Sequence, residues 1–330
     1  MRDLEWFVPV SAVLGIELLL WWLAFYGGYV FPPKISASGA AVNLIFAAVV
    51  LIKLVIGIAR MFLAHEPKPL QRLFARENLG RIIVTVVALQ LFVMAGSSFA
   101  ALKAGIPKAV PFWLDVPLAN AEHQIFGLHP WQISHALLGW ATPVIDAVYA
   151  TFVPFETTGF VIVLCARPSA WKSRALLTIV LAWFVMGVLC AYLLSSAGPV
   201  FYDRVFGGNT FAGLTQMVGH DAPLTARVSE FLWEAHSQDR EVMLNGISAM
   251  PSMHVAGALW IALVLGRTRI APLGWAYYAL IWIGSVHLGW HYLSDGLAGT
   301  VGILVLWRIA PRLLFKPYRT RVDAECAQPS

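Results

Sequence analysis

Residues Pro272 to Ala310 read PLGWAYYALIWIGSVHLGWHYLSDGLAGTVGILVLWRIA. Two apolar runs, 272–289 and 293–310, meet there at Trp290-His291-Tyr292-Leu293-Ser294-Asp295-Gly296. Each run approaches the roughly 20 residues that an α-helix needs to cross a bilayer. If the second run opens as a helix, His291 and Asp295 stand four apart on one face, and the carboxylate can meet an imidazole nitrogen. An aspartate inside such a run costs about 2.5 to 3.5 kcal/mol at a membrane-helix centre on insertion scales, so it calls for a partner or a task.

The remainder of the chain extends the pattern. Of the 330 residues, 59% are hydrophobic and 12% charged, and the mean hydropathy is +0.71. A soluble domain has about a quarter of its residues charged, so this is an integral membrane protein. Further runs lie at 7–31, 39–62, 82–102, 138–165, 175–197 and 253–266. The fold expected is an all-α polytopic bundle of about eight transmembrane helices. Cys165, Cys190 and Cys326 show no metal-ligand spacing and imply no disulfide framework. The first run is too long for a signal-peptide core, although Ser36-Ala37-Ser38 imitates a cleavage site, and it is expected to be a retained helix.

The formal charge of +5 does not point to nucleic acid, because the basic residues cluster in short segments between apolar runs. Arg60, Lys68, Arg72, Arg76 and Arg81 flank the second and third runs. Arg167, Lys172 and Arg174 join the fourth to the fifth, Arg267 and Arg269 the sixth to the seventh, and Arg308, Arg312, Lys316, Arg319 and Arg321 close the chain. Every second connection is basic, which places both termini in the cytoplasm and the other connections outside. The chain divides into a membrane domain, 1–317, and a short polar tail, 318–330. Of the outer connections, 103–135 mixes Pro, Trp and charge and is expected to lie at the membrane surface as part of a lid. The longest, Ser195 to Pro251, carries Arg204, Arg227 and Arg240, and connections of that length are commonly functional or disordered.

A second histidine element, Pro251-Ser252-Met253-His254, opens the sixth run. The topology puts His254 and the pair His291 and Asp295 on the same outer face. The set suits phosphoryl transfer: one imidazole attacks phosphorus, the carboxylate holds its other nitrogen, and the second imidazole protonates the leaving oxygen. Arginines and the helix amides after Pro251 and near His291 are expected to hold the phosphate oxygens. No metal and no cofactor is required.

Pro251-Ser252-Met253-His254 followed by His291-x-x-x-Asp295 resembles the second and third signature motifs of the type 2 phosphatidate phosphatase superfamily of membrane lipid phosphatases and phosphotransferases. The resemblance covers about 195–310. It implies His291 as nucleophile, Asp295 as its orienter and His254 as acid/base, with a phosphohistidine intermediate. Two departures stand out. Ser285 occupies the place of the third-motif arginine, and no lysine between Lys172 and Lys316 supplies the first motif, Arg167-Pro168 being a decoy. This pattern is similar to the inositol phosphorylceramide synthase branch, whose members transfer phospho-headgroups between lipids. Arg204 and then Arg240, with Ser252, are the phosphate-binding candidates, and Arg227 is a distant third.

Plainer roles are set beside these. His291 with Asp295 alone would suit a structural pair, and His287 has no third ligand with metal spacing. Asp146 and Glu156 suit a substrate cavity or helix packing equally, while His220 with Asp221 and Glu234 with His236 are loop polar residues. The function expected is a lipid phosphatase or phosphotransferase of a bacterial-type inner membrane, facing the periplasm, with a lipid phosphate or phospholipid as substrate and the bilayer as its surroundings. The alternative is a non-catalytic lipid transporter or headgroup-binding protein.

Overall fold

The structure is a computed structural model and describes residues 3–30, 37–65, 75–238 and 246–314. Arg240, Ser36 and the tail 318–330 lie outside these residues. All the regular structure described is helical. Six helical stretches are long and apolar enough to cross a membrane: Leu4–Tyr26, Gly39–Met61, Asn78–Ala109, Pro130–Leu164, Ala170–Leu193 and Leu293–Leu313. The two other apolar runs form the shorter helices Met253–Leu265, of 13 residues, and Ala271–His287, of 17. The protein is a membrane helix bundle.

The bundle is layered by burial. More than half of Ala170–Leu193 is enclosed by other helices, whereas none of Gly39–Met61 is. A helix that is apolar all round and has no residue fully buried against protein needs lipid as its solvent. Around the central helix the core is built from Phe160, Leu176, Val180, Leu259, Trp260 and Ile303. The Trp260 indole N–H donates to the Ala175 carbonyl over 2.9 Å, which satisfies the one polar atom of a fully buried side chain.

Proline marks the breaks. Pro143 and Pro154 supply no backbone N–H, and the stretch Pro130–Leu164 is accordingly segmented into Pro130–Leu138, Gly139–Ala141, Thr142–Ala150 and Phe152–Leu164. Pro107 breaks nothing. The helix Arg76–Ala109 runs through it, so Lys103 lies on a helix and not in the connection that the sequence suggests. The segment Ser195–Pro251 is also more ordered than a long loop: it folds into Pro199–Phe206, Ala212–Asp221 and Pro223–Ser237.

Buried carboxylates fasten these short elements to the bundle. Asp115, fully enclosed at the start of the helix Asp115–Phe126, accepts from Ala197 N and Gly198 N, both over 2.8 Å, from Ser196 Oγ over 3.2 Å and from Tyr292 Oη over 3.1 Å. Burial raises its pKa above the ordinary carboxylate value, against four hydrogen bonds that lower it. Glu122, two turns further along the same helix, accepts from Ser294 N and Ser294 Oγ at 2.8 Å. Asp146 takes Leu224 N at 2.8 Å and Thr225 N at 3.0 Å, and so caps the helix Pro223–Ser237. Segment 103–135 is therefore part of the frame and not a detached lid. Asp146 is a cap rather than a cavity wall.

An Asp115→Asn exchange keeps the shape but turns a donor toward a backbone N–H. We expect it to cost about 1 to 3 kcal/mol and to lower the melting temperature of the detergent-solubilised protein. Glu230→Gln, which breaks only an exposed ion pair, should leave that temperature nearly unchanged. Equal melting temperatures for the two variants would contradict this account of the frame.

Candidate active site

Three connections converge at one end of the bundle. Val200 N donates to Gly289 O over 2.8 Å, Ala249 N to Ser196 O over 2.8 Å, and Ser252 N to Asp295 O over 3.1 Å. Gly198 lies at their crossing with φ +93°, and a Cβ there would stand 2.6 Å from the Trp290 carbonyl oxygen. Only glycine meets both demands. Asp115, by holding the amides of residues 197 and 198 and the Tyr292 hydroxyl, sets the positions of the first and third connections together.

The histidines meet here. The rings of His254 and His291 are 5.7 Å apart, centroid to centroid. His254 begins the helix Met253–Leu265 just after the cis Met250–Pro251 bond, and its ring stacks on Tyr149 at 4.8 Å and meets Phe152 at 4.5 Å. Tyr149 Oη is itself buried without a partner among the described residues. His291 is buried in the turn before the last helix, its backbone N–H donating to Ser285 O over 3.0 Å. Its Nδ1 stands 3.5 Å from Asp295 Oδ2, an ion-pair distance rather than a hydrogen bond. That oxygen accepts instead from Tyr292 N at 3.0 Å, and neither His291 Nδ1 nor Asp295 Oδ1 has a hydrogen-bond partner among the described residues. A small rotation of the imidazole would join them, and catalytic hydrogen bonds often tighten only around a ligand.

The cation of the site comes from outside the motifs. Lys103, nearly two turns before the end of Arg76–Ala109, acts electrostatically on both imidazoles. Its stem packs on Gly246, where a Cβ would come within 2.6 Å of Lys103 Cγ. Burial first, and the Lys103 charge second, hold the pKa of His291 down at about 3, while the Ala249 carbonyl beside the ring opposes them. The ring is thus a neutral base at ordinary pH. His254 and Lys103 keep partial exposure, whereas His291 is buried.

Other sequence expectations are placed differently. Arg204 is ion-paired with Glu230 at 2.6 Å and lies over the Trp233 ring. Arg227 is exposed on the helix Pro223–Ser237. Ser252 caps its helix, accepting from Val255 N over 3.3 Å. The amides at the start of the last helix are taken by the protein's own carboxylates, Tyr292 N by Asp295 and Ser294 N by Glu122, so that N-terminus is not left to a phosphate. Ser285, where an arginine was looked for, is fully buried, and its carbonyl anchors His291. His287 has its ring nitrogens on Thr142 Oγ1 at 2.8 Å and Ser134 Oγ at 3.1 Å, a packing role. Glu156 meets the Trp183 indole at 3.3 Å inside the bundle. Among the described residues no group of three or more His, Cys, Asp or Glu is arranged to hold a metal ion.

Sequence reasoning missed Lys103, Asp115, Glu122 and the aromatic pair on His254. Only Lys103 carried a signal that could have been used: it is a lone cation at the edge of an apolar run, and such a residue needs a reason to be there.

No curated protein and no solved structure matches the chain. Residues 117–309, more than half of it, match the family model of the PAP2 superfamily. The match begins inside Asp115–Phe126, well before the part whose motifs carry the resemblance, and leaves Lys103 outside. It upholds the likeness to type 2 phosphatidate phosphatases at the level of the superfamily. The chain belongs to the PAP2 superfamily, a family of phosphatase-type enzymes, and is one of its membrane proteins.

Proposed function

We propose that the protein transfers the phosphate group, or a phospho-headgroup, of a membrane lipid through a phosphohistidine formed on His291. The observation that carries this is the meeting of two imidazoles 5.7 Å apart, with a carboxylate 3.5 Å from one of them. His291, neutral at ordinary pH, attacks phosphorus with the nitrogen turned away from Asp295. As the N–P bond forms, the P–O ester bond breaks, and the departing oxygen takes a proton from His254. Asp295 stabilises the positive charge that develops on His291. In the second step His254 accepts a proton from water or from a lipid hydroxyl, whose oxygen attacks phosphorus and releases His291.

The negative oxygens need a cation throughout, and we assign that role to Lys103 in place of Arg204. Arg204 is engaged with Glu230, whereas the Lys103 charge already falls on the reacting rings. Ser252 is a secondary candidate, and Arg240 keeps its candidacy from sequence alone. The wider reading stays as the sequence suggests it: eight passages through a bacterial-type inner membrane, both termini cytoplasmic, and the histidine centre facing outward. The absence of the usual third-motif arginine favours a transferase related to the inositol phosphorylceramide synthase branch.

A panel of lipid phosphates and phospholipids, offered with and without hydroxyl acceptors, tests the activity. Release or transfer of phosphate that falls by about four orders of magnitude in His291→Ala supports it. No turnover with any lipid would favour a transporter or headgroup-binding protein. His254→Ala should lose the first step on an alkyl phosphate but keep a stoichiometric burst of p-nitrophenolate from a p-nitrophenyl phosphate ester, whose leaving group needs no proton, before the base-dependent second step stalls; loss of the burst as well would contradict the acid role. Lys103→Met should lower kcat/KM about 10- to 100-fold, the range for one charge-assisted hydrogen bond. Because Lys103 depresses the His291 pKa, its removal should also shift the acid limb of the kcat/KM profile to higher pH. An unmoved limb would place Lys103 outside the site.

A further inference from the structure

Tyr149, on the helix Thr142–Ala150 that packs against Ala271–His287, is 6% exposed. Its hydroxyl oxygen is buried and has no hydrogen-bond partner among the described residues. A buried hydroxyl left unpaired is unfavourable, and native proteins keep few of them. Phenylalanine would fill the same space without that cost, so the oxygen calls for a use.

The ring is fixed by both halves of the histidine centre. It lies nearly parallel to the His254 imidazole, at 4.8 Å and 19°, while Phe152 meets the same imidazole at 4.5 Å. It also presses on Gly284, where a Cβ would stand 3.0 Å from Tyr149 Cδ2. Gly284 precedes Ser285, whose carbonyl holds the His291 backbone N–H. One side chain thus touches the ring of the acid and the segment that anchors the nucleophile.

Two groups act electrostatically on the Tyr149 hydroxyl, Tyr277 and Asp295. Tyr277 Oη stands 3.1 Å from Thr151 Oγ1, which itself donates to the Val148 carbonyl over 2.6 Å, so the Tyr277 proton points to Thr151. What Tyr277 still offers is a neutral acceptor. Asp295 offers a charged one: its Oδ1 is buried without a partner among the described residues, while Oδ2 accepts from Tyr292 N at 3.0 Å and stands 3.5 Å from His291 Nδ1. Hydrogen bonds to a carboxylate are roughly twice as strong as those between neutral groups. A further donor also favours the ionised carboxylate, the form needed while His291 becomes positive.

We infer that Tyr149 is a positioning residue of the phosphoryl transfer: its ring sets the plane of His254, and its hydroxyl donates to Asp295 Oδ1 as His291 takes on phosphorus. The inference rests on the phosphohistidine reading above. Tyr149 keeps its proton throughout and acts only through the two residues that it touches.

The first turnover of the purified protein with a p-nitrophenyl phosphate ester, compared with an alkyl phosphate, tests this. Tyr149→Phe keeps the ring and loses the oxygen. It should slow the p-nitrophenolate burst about 10- to 100-fold, the range for one hydrogen bond to a charged group, with KM within about twofold. Its melting temperature should be unchanged or higher, because the hydroxyl lost is unpaired in the resting protein. Tyr149→Leu, which loses the ring as well, should be slower than Tyr149→Phe by roughly a further tenfold on the alkyl phosphate, where His254 must give a proton, and no slower on the p-nitrophenyl ester. Tyr277→Phe should keep the burst. A full burst in Tyr149→Phe, or a raised KM with kcat untouched, would overturn the inference, as would an extra loss in Tyr149→Leu shared equally by both esters. If the leucine variant does not fold, Tyr149→Phe decides alone. A wild-type protein with no burst from any ester would sink the phosphohistidine reading and this inference with it, whereas a wild-type burst that Tyr149→Phe matches sinks this inference only.

Discussion

The Asp115 carboxylate is the constraint on which the working end of the bundle depends. A carboxylate taken wholly out of water is strongly unfavourable unless its lone pairs are filled. Asp115 fills its own with two backbone amides, a serine hydroxyl and the Tyr292 hydroxyl, drawn from two connections far apart in sequence. The connections are thereby brought into contact, and Tyr292 carries the adjacent His291 with it. Glu122 and Asp146 repeat the device at the starts of two helices. Acidic side chains that look catalytic by burial alone are here the means of fixing backbone in place.

That use of carboxylates changes where a substrate anion can be met. A helix N-terminus attracts phosphate because its first amides are unsatisfied. At the last helix those amides already serve Asp295 and Glu122, so they are not open to a phosphate. The compensating positive charge arrives from Arg76–Ala109, through Lys103. Burial first and the same cation second hold the His291 pKa down, so in the proposed mechanism one residue meets the phosphate oxygens and helps to leave the nucleophile as a free base.

The sequence made much of this legible. Apolar runs identified the helices, because a bilayer sets their length and composition. The pairing of His291 with Asp295, and their meeting with His254, was legible from four-residue spacing and from connection charge. What escaped was contact between distant segments. Asp115 and Glu122 look like ordinary interfacial residues, since nothing local tells which amides a carboxylate will meet. Lys103 escaped for a local reason: Pro107 suggests a helix end near residue 102, yet proline removes only one hydrogen bond, and packing carried the helix on to Ala109. Arg204 attracted attention by its place in a long connection, and Glu230, 26 residues on, is what its charge meets.

The central claim is that His291 becomes covalently phosphorylated while Lys103 and His254 attend the oxygens. Rapid quenching of the purified protein with a lipid phosphate carrying radioactive phosphorus, followed by peptide mapping, tests it most directly. The account predicts an acid-labile, alkali-stable label on the peptide that holds His291, absent from His291→Ala and accumulating in His254→Ala only from a labelled ester whose leaving group needs no proton. A label on any other residue, or turnover of the lipid with no phosphoenzyme at any quench time, would contradict it.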